Sequence, residues 1–174
     1  MELEELVSDA IKGDDGAFVS LMQACKTDLY KTAYAYLRNE ADAIEAVQET
    51  TCRAYQSIQT LQHPEYAKTW LIRIMINVCQ TELQKRKKVT VHPFLEDERS
   101  VDHQHSTIET TEALESLSPK ERELIHLKYI QDLTIRQVAE VLEMPEGTVK
   151  TKLYQSLSRL KRWFEKGDDQ HVSK

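Results

Sequence analysis

The chain has 174 residues, 30% of them charged, a net charge of −6, and only four glycines and four prolines. That length suits one domain or two small ones, and the scarcity of Gly and Pro favours helices over sheet. No apolar run approaches a bilayer-spanning length, and the acidic start MELEELVSDA excludes a signal peptide.

Glu2 to Lys12 reads as a short amphipathic helix with Leu3, Leu6, Val7 and Ala10 inward, ended by Gly13. Asp14 and Asp15 can cap the next helix. Its stripe, Phe18, Leu21, Met22, Cys25, Leu29, Ala33 and Leu37, runs to about Arg38. After a break at Asn39-Glu40, Asp42 to Ser57 forms a third helix with Ala43, Val47, Ala54 and Ile58 toward the core. Asp42, Glu45, Gln48 and Glu49 share another face, which fits solvent or a basic partner. Gln59 to Glu65 is a loop punctuated by Pro64, and Tyr66 to Lys88 is a fourth helix. Trp70, Leu71, Ile74, Met75, Val78 and Leu83 supply its apolar surface. Lys68, Arg73, Asn77, Gln80, Gln84 and the Lys85–Lys88 run supply polar and cationic groups. Aromatic and basic residues beside a loop suit single-stranded nucleic acid, whose bases stack or flip out. Trp70 fits plain core equally well, whereas Tyr66 is the more accessible ring.

Val89 to Thr111 loses periodicity and reads as an acidic tether, in which His103 and His105 have no further ligand at metal spacing. Ile108 to Leu117 opens a second helical domain. Ser118-Pro119-Lys120-Glu121 has the capping-box spacing, and Leu124, Ile125, Leu127 and Ile130 give the following helix its buried side. Cys25, Cys52 and Cys79 lie far apart without CxxC spacing, so they read as reduced, buried thiols of a cytosolic chain. No cofactor-binding loop, metal set or nucleophile–base pair stands out, so the reading is not an enzyme and has no small-molecule substrate.

Thr134 to Arg162 has the form of helix, tight turn, helix. Thr134 and Gln137 have capping-box spacing, and Ile135, Val138, Ala139 and Leu142 form one stripe. Glu143-Met144 is the turn, and Pro145 suits the first turn of the next helix. Val149, Leu153, Leu157, Leu160 and Phe164 form that helix's expected buried stripe. Lys150, Thr151, Lys152, Tyr154, Gln155 and Arg159 form its polar face. A helix that reads a DNA major groove needs this division. The net charge also resolves into blocks: −7 over residues 1–66, +5 over 67–88, −6 over 89–118 and +2 over 119–174. A polyanion could meet two separate basic surfaces, and the acidic blocks could meet something basic.

The whole arrangement resembles bacterial RNA polymerase sigma factors of the extracytoplasmic-function group. RNEADAIEAVQETTCRAY resembles their segment for the polymerase clamp helices. YAKTWLIRIMINVCQTELQKRKK resembles the helix that melts and reads the minus-ten element, and the stretch from Leu114 to Trp163, with GTVK at its centre, resembles the minus-thirty-five reader. The resemblance implies an all-α fold of two small helical domains, 1–88 and 108–174, joined by a flexible acidic linker, 89–107. The second domain would carry the helix-turn-helix. It implies polymerase contacts at Asp42, Glu45, Gln48 and Glu49. It implies minus-ten contacts from the loop, Thr60, Leu61, Gln62 and His63, and from Tyr66, Lys68, Trp70, Arg73, Asn77, Lys85 and Arg86. Minus-thirty-five contacts would come from Arg136, Glu146, Gly147, Thr148, Lys150, Thr151, Lys152, Tyr154, Gln155 and Arg159.

The implied partners are core RNA polymerase, promoter DNA as duplex and melted non-template strand, and an anti-sigma factor that is often an inner-membrane protein. The chain itself would be cytoplasmic. Four positions depart from the family pattern: Glu143 where Gly is frequent, Thr151-Lys152 for Ser-Arg, and Thr81 for Asp. A left-handed Glu143 would cost on the order of 1 kcal/mol. Lys lacks Arg's bidentate reach to guanine. The alternative, a dimeric helix-turn-helix regulator, leaves DAIEAVQE and the Trp70–Lys88 helix without a purpose.

Overall fold

A computed structural model describes residues 2–89 and 108–171. The chain divides into two compact units, Met1–Glu98 and Arg99–Lys174. The tether expected at 89–107, with His103 and His105, lies outside the described residues except for Val89, which ends a helix.

The first unit holds α1 (Leu3–Ile11), α2 (Asp15–Leu37), α3 (Glu40–Ser57) and α4 (Ala67–Val89). Helix α2 is the spine, packed against the other three. It starts where Asp14 accepts the Ala17 N–H at 3.0 Å, satisfying an otherwise orphaned donor. All seven residues of its expected stripe are buried. Leu21 and Leu29 share one buried core with Leu71 and Met75 of α4, each worth about 2–3 kcal/mol of apolar burial. Helix α3 faces inward through Ala43, Ala46, Thr50 and Ala54, small residues that let helices approach closely. Cys25 and Cys79 are buried, and burial pushes the Cys79 thiol up to about 12. Cys52 corrects the expectation of three buried thiols: it is exposed, on the α3 face away from the alanine stripe. Leu3 is also more exposed than expected, at 38%.

The second unit holds α5 (Ile108–Glu115), α6 (Pro119–Ile125), α7 (Ile135–Leu142) and α8 (Glu146–His171). The capping box at α6 is closed both ways. Ser118 N–H donates to Glu121 at 2.8 Å, and Glu121 N–H donates to the Ser118 hydroxyl at 3.3 Å. Thr134 and Gln137 do the same for α7 at 2.9 and 3.1 Å. Leu124, Leu127, Leu133, Val138 and Val149 are fully buried.

Three expected core positions turn outward: Ile130, Leu157 and Phe164. A π turn follows α6 over His126–Ile130, with the Gln131 N–H on the His126 carbonyl at 3.0 Å. The wider turn shifts the phase, so Gln131 goes inside and Ile130 is 54% exposed. On α8, Ser156 is buried where Leu157 was expected, and Leu157 and Phe164 are 41% and 45% exposed. Steps of four drift around a 3.6-residue helix, whereas Val149, Leu153, Ser156 and Leu160 alternate four and three and stay on one side. Burial of Ser156 is tolerable because its hydroxyl donates to the Lys152 carbonyl at 2.7 Å.

Candidate functional site

The α2–α3 corner sets the acidic face. Helix α2 ends on left-handed Arg38, whose N–H reaches the Tyr34 carbonyl at 2.8 Å. Asn39 then caps α3, accepting the Asp42 N–H at 3.0 Å. From that start Glu45, Gln48 and Glu49 are exposed, while Asp42 is half-buried. Beside them a groove of about 470 Å³ runs between α3 and α4, floored by Ala46 and Val78 and edged by Glu45, Glu49, Glu82 and Lys85. Glu49 also pairs with Arg53 at 2.6 Å along the helix. Ile44 and Tyr55, 45% and 53% exposed, add apolar surface to α3 that the sequence reading missed. Ile44 was legible as an apolar residue off the alanine stripe.

The residues expected to meet a melted strand do not share one surface. Tyr66, Arg73 and Asn77 are exposed, with half-buried Trp70; their spacing puts Trp70, Arg73 and Asn77 on one side of α4, and Tyr66 ends the 3-10 turn just before it. His63 meets Tyr66 edge to face at 5.7 Å between ring centres. In the loop, Gln62 and His63 are exposed, and His63 Nδ1 lies 3.4 Å from Glu65. Thr60 is tied back to the Ser57 carbonyl at 2.6 Å. Leu61 is half-buried, packed against the core beside the exposed part of the loop.

The cations divide three ways. Lys68 lies 3.7 Å from Asp28. Lys85 edges the acidic groove. Arg86 donates to the Leu37 carbonyl at 3.2 Å and to the Asp42 carboxylate. Its position on α4 is roughly opposite Arg73 and Asn77. One residue expected at the polymerase and one expected at the strand thus form a single pair.

At the helix-turn-helix, Glu143 is left-handed, φ 54° and ψ 46°, and its N–H and that of Met144 both reach the Ala139 carbonyl. Pro145 stands just before α8 rather than in its first turn, and its carbonyl accepts the Val149 N–H at 3.1 Å. The exposed side of α8 carries Glu146, Gly147, Lys150, Thr151, Gln155 and Tyr154, the last 74% exposed. Thr148 is half-buried, and the Thr151 hydroxyl donates to the Gly147 carbonyl at 3.0 Å. A Cβ on Gly147 would meet nothing within 4 Å, so nothing inside the chain demands glycine there.

Arg159 is drawn sideways. Its guanidinium lies 3.2 Å from Glu121, so the expected DNA contact is also an interhelical one. The Ser118 N–H chiefly holds the Glu121 carboxyl below its ordinary range, against burial, helped by the Ser118 hydroxyl, Arg159 and Lys152. Arg136 is exposed and pairs with Glu140 at 3.3 Å. Among the described residues, no group of three or more His, Cys, Asp or Glu could hold a metal ion, and no helix is long and apolar enough to cross a membrane.

Two family models match. Sigma-70 region 2 covers residues 21–89, and sigma-70 region 4 covers residues 108–160. RNA polymerase sigma factor SigV of Bacillus subtilis (strain 168) is 32% identical, over 82% of this chain and 88% of its own. ECF RNA polymerase sigma factor SigW of the same organism is 26% identical, over 93% and 96%. Among solved structures, sigma factor RpoE of Bartonella quintana, in complex with the anti-sigma factor NepR, has a TM-score of 0.72 at 21% identity. It covers 85% of this chain and 96% of its own. That last likeness is one of fold.

Proposed function

The chain belongs to the extracytoplasmic-function group of RNA polymerase sigma factors, and from that premise we propose how its residues divide the work of promoter recognition. Sigma factors are transcription initiation factors that direct RNA polymerase to promoters. In this chain the acidic face of α3, Asp42, Glu45, Gln48 and Glu49, meets the polymerase. The surface of Gln62, His63, Tyr66, Trp70, Arg73 and Asn77 takes the melted non-template strand. An exposed tyrosine beside an exposed loop offers a stacking platform for an unpaired base. The outer side of α8, with Lys150, Thr151, Tyr154 and Gln155, enters the duplex major groove, and Arg136 reaches a phosphate. The chain works by binding, without catalysis of its own.

The observation that carries the reading is Gly147. A glycine at an exposed start of α8, with open space around it, is explained by an outside partner that approaches the backbone closely. A promoter duplex at the N-terminus of α8 is such a partner, since phosphates favour that end.

An anti-sigma factor is the further partner, since the Bartonella quintana neighbour was solved in complex with one. Such a protein would cover these same surfaces and hold the chain in the cytoplasm, at the membrane face where the anti-sigma factor is membrane-bound.

Run-off transcription tests the whole reading. Bacterial core polymerase, this chain and a pool of fragments from its own genome should yield discrete transcripts that need the chain. Their start sites would report both promoter elements. Absence of transcripts and of co-elution with polymerase, together with tight binding to a palindromic duplex, would replace it with a dimeric regulator.

A further inference from the structure

We infer that Arg86 is a positioning residue for the polymerase-facing helix α3, not a contact to nucleic acid. The inference rests on the proposal that the acidic face of α3 meets polymerase.

The α2–α3 corner is short. Leu37 is the last residue of α2, Arg38 is left-handed, Asn39 caps, and Asp42 already belongs to the first turns of α3. Two local hydrogen bonds fix this path: Arg38 N–H to Tyr34, and Asp42 N–H to Asn39. Neither ties the corner to the rest of the unit. Arg86 does so from α4, which joins this region only after more than forty residues of intervening chain. One guanidinium nitrogen takes the Leu37 carbonyl, which α2 leaves without a partner in its last turn. The other takes the Asp42 carboxylate on the far side of the corner. A planar fork suits two acceptors held at a fixed separation.

The pair is half-buried, with side-chain exposures of 37% and 34%. It is therefore screened less than a surface pair and can hold the entry angle of α3. That angle decides where Glu45, Gln48 and Glu49 point. The position of Arg86 on α4, roughly opposite Arg73 and Asn77, takes it off the surface proposed for the melted strand.

Arg86→Lys separates the two roles. Lysine keeps a charge for a phosphate but cannot bridge both acceptors. Three readouts on the full chain are compared: affinity for purified core polymerase, salt dependence of binding to a labelled single-stranded DNA of random sequence, and amide exchange at Asp42 and Ala43. For Arg86→Lys, polymerase binding should weaken roughly three- to tenfold. Exchange at Asp42 and Ala43 should quicken, and the salt slope should stay at the wild-type value. Arg86→Gln should weaken polymerase binding at least as much, again without altering the slope. Arg73→Ala, by contrast, should flatten the slope by roughly 0.7.

The inference is overturned if Arg86→Lys leaves polymerase affinity and corner exchange unchanged, or if Arg86→Gln flattens the single-strand slope as Arg73→Ala does. If the wild-type chain itself fails to bind core polymerase, the functional reading has failed, while the exchange measurement still decides whether Arg86 holds the corner.

Discussion

Arg159 on α8 and the Ser118 N–H at the start of α6 share one acceptor, the Oε2 atom of Glu121, at 3.2 and 2.8 Å. A capping carboxylate is thereby also an interhelical tie. It docks α8 against α6, the helix that precedes the helix-turn-helix.

The folded-state pKa of Glu121 is lowered, so its contribution to stability is complete above the unfolded value of 4.5 and is lost as pH falls through the folded value. Protection of the amides in the first turn of α6, measured relative to their intrinsic exchange rate at each pH, should therefore fall below about pH 4.5. Glu121→Gln should remove most of that dependence. An unchanged profile in the variant would show that other carboxylates control acid opening of this helix.

Glu143 occupies a backbone conformation that costs an L side chain about 1 kcal/mol. Glu143→Gly should raise the urea midpoint of the second unit by an equivalent of roughly 0.5 kcal/mol, since glycine also gains entropy in the unfolded chain. A lower midpoint would mean that the Glu143 side chain contributes more than its backbone costs.

The phase of α8 can be checked by truncation. Leu153→Ala should cost about 3 kcal/mol, because the leucine is 4% exposed and leaves a cavity. Leu157→Ala should cost under about 1 kcal/mol, since 41% exposure leaves little burial to lose. Equal losses in equilibrium unfolding would restore the stripe expected from steps of four.

Gly147→Ala sets stability against function. An added methyl meets no atom within 4 Å, and alanine is the better helix former by about 1 kcal/mol. The variant should unfold at higher urea and yet bind promoter duplex more weakly in a gel-shift titration, by roughly tenfold if the methyl holds the backbone off the DNA. Unchanged binding would remove the observation on which the duplex reading leans most. Lys150→Ala, with its charge lost from the outer face of α8, should instead flatten the salt dependence of duplex binding by about 0.9.

Helix positions were legible in this chain because their causes are local. Asp14 and Asn39 cap within three residues, Ser118 pairs with Glu121 and Thr134 with Gln137, and the α2 stripe repeats at helical spacing. The helix-turn-helix followed from the same short-range chemistry, whereas the cost of a left-handed Glu143 was raised only by the glycine frequent there in the resembled family. Residue lists for the three surfaces were less secure. Which cation faces outward depends on what a distant helix brings beside it, and spacing along one helix carries no such information. Asp42 lies beside Arg86 and Glu121 beside Arg159 only after the helices pack. The same holds for Leu61, drawn onto the core, and for Ile130, turned out by a π turn that widens the helix ahead of Leu133. The sequence by itself therefore determined the helices, their caps and the family. Tertiary packing decided which polar side chains remain for partners, because ion pairs and burial are settled between elements.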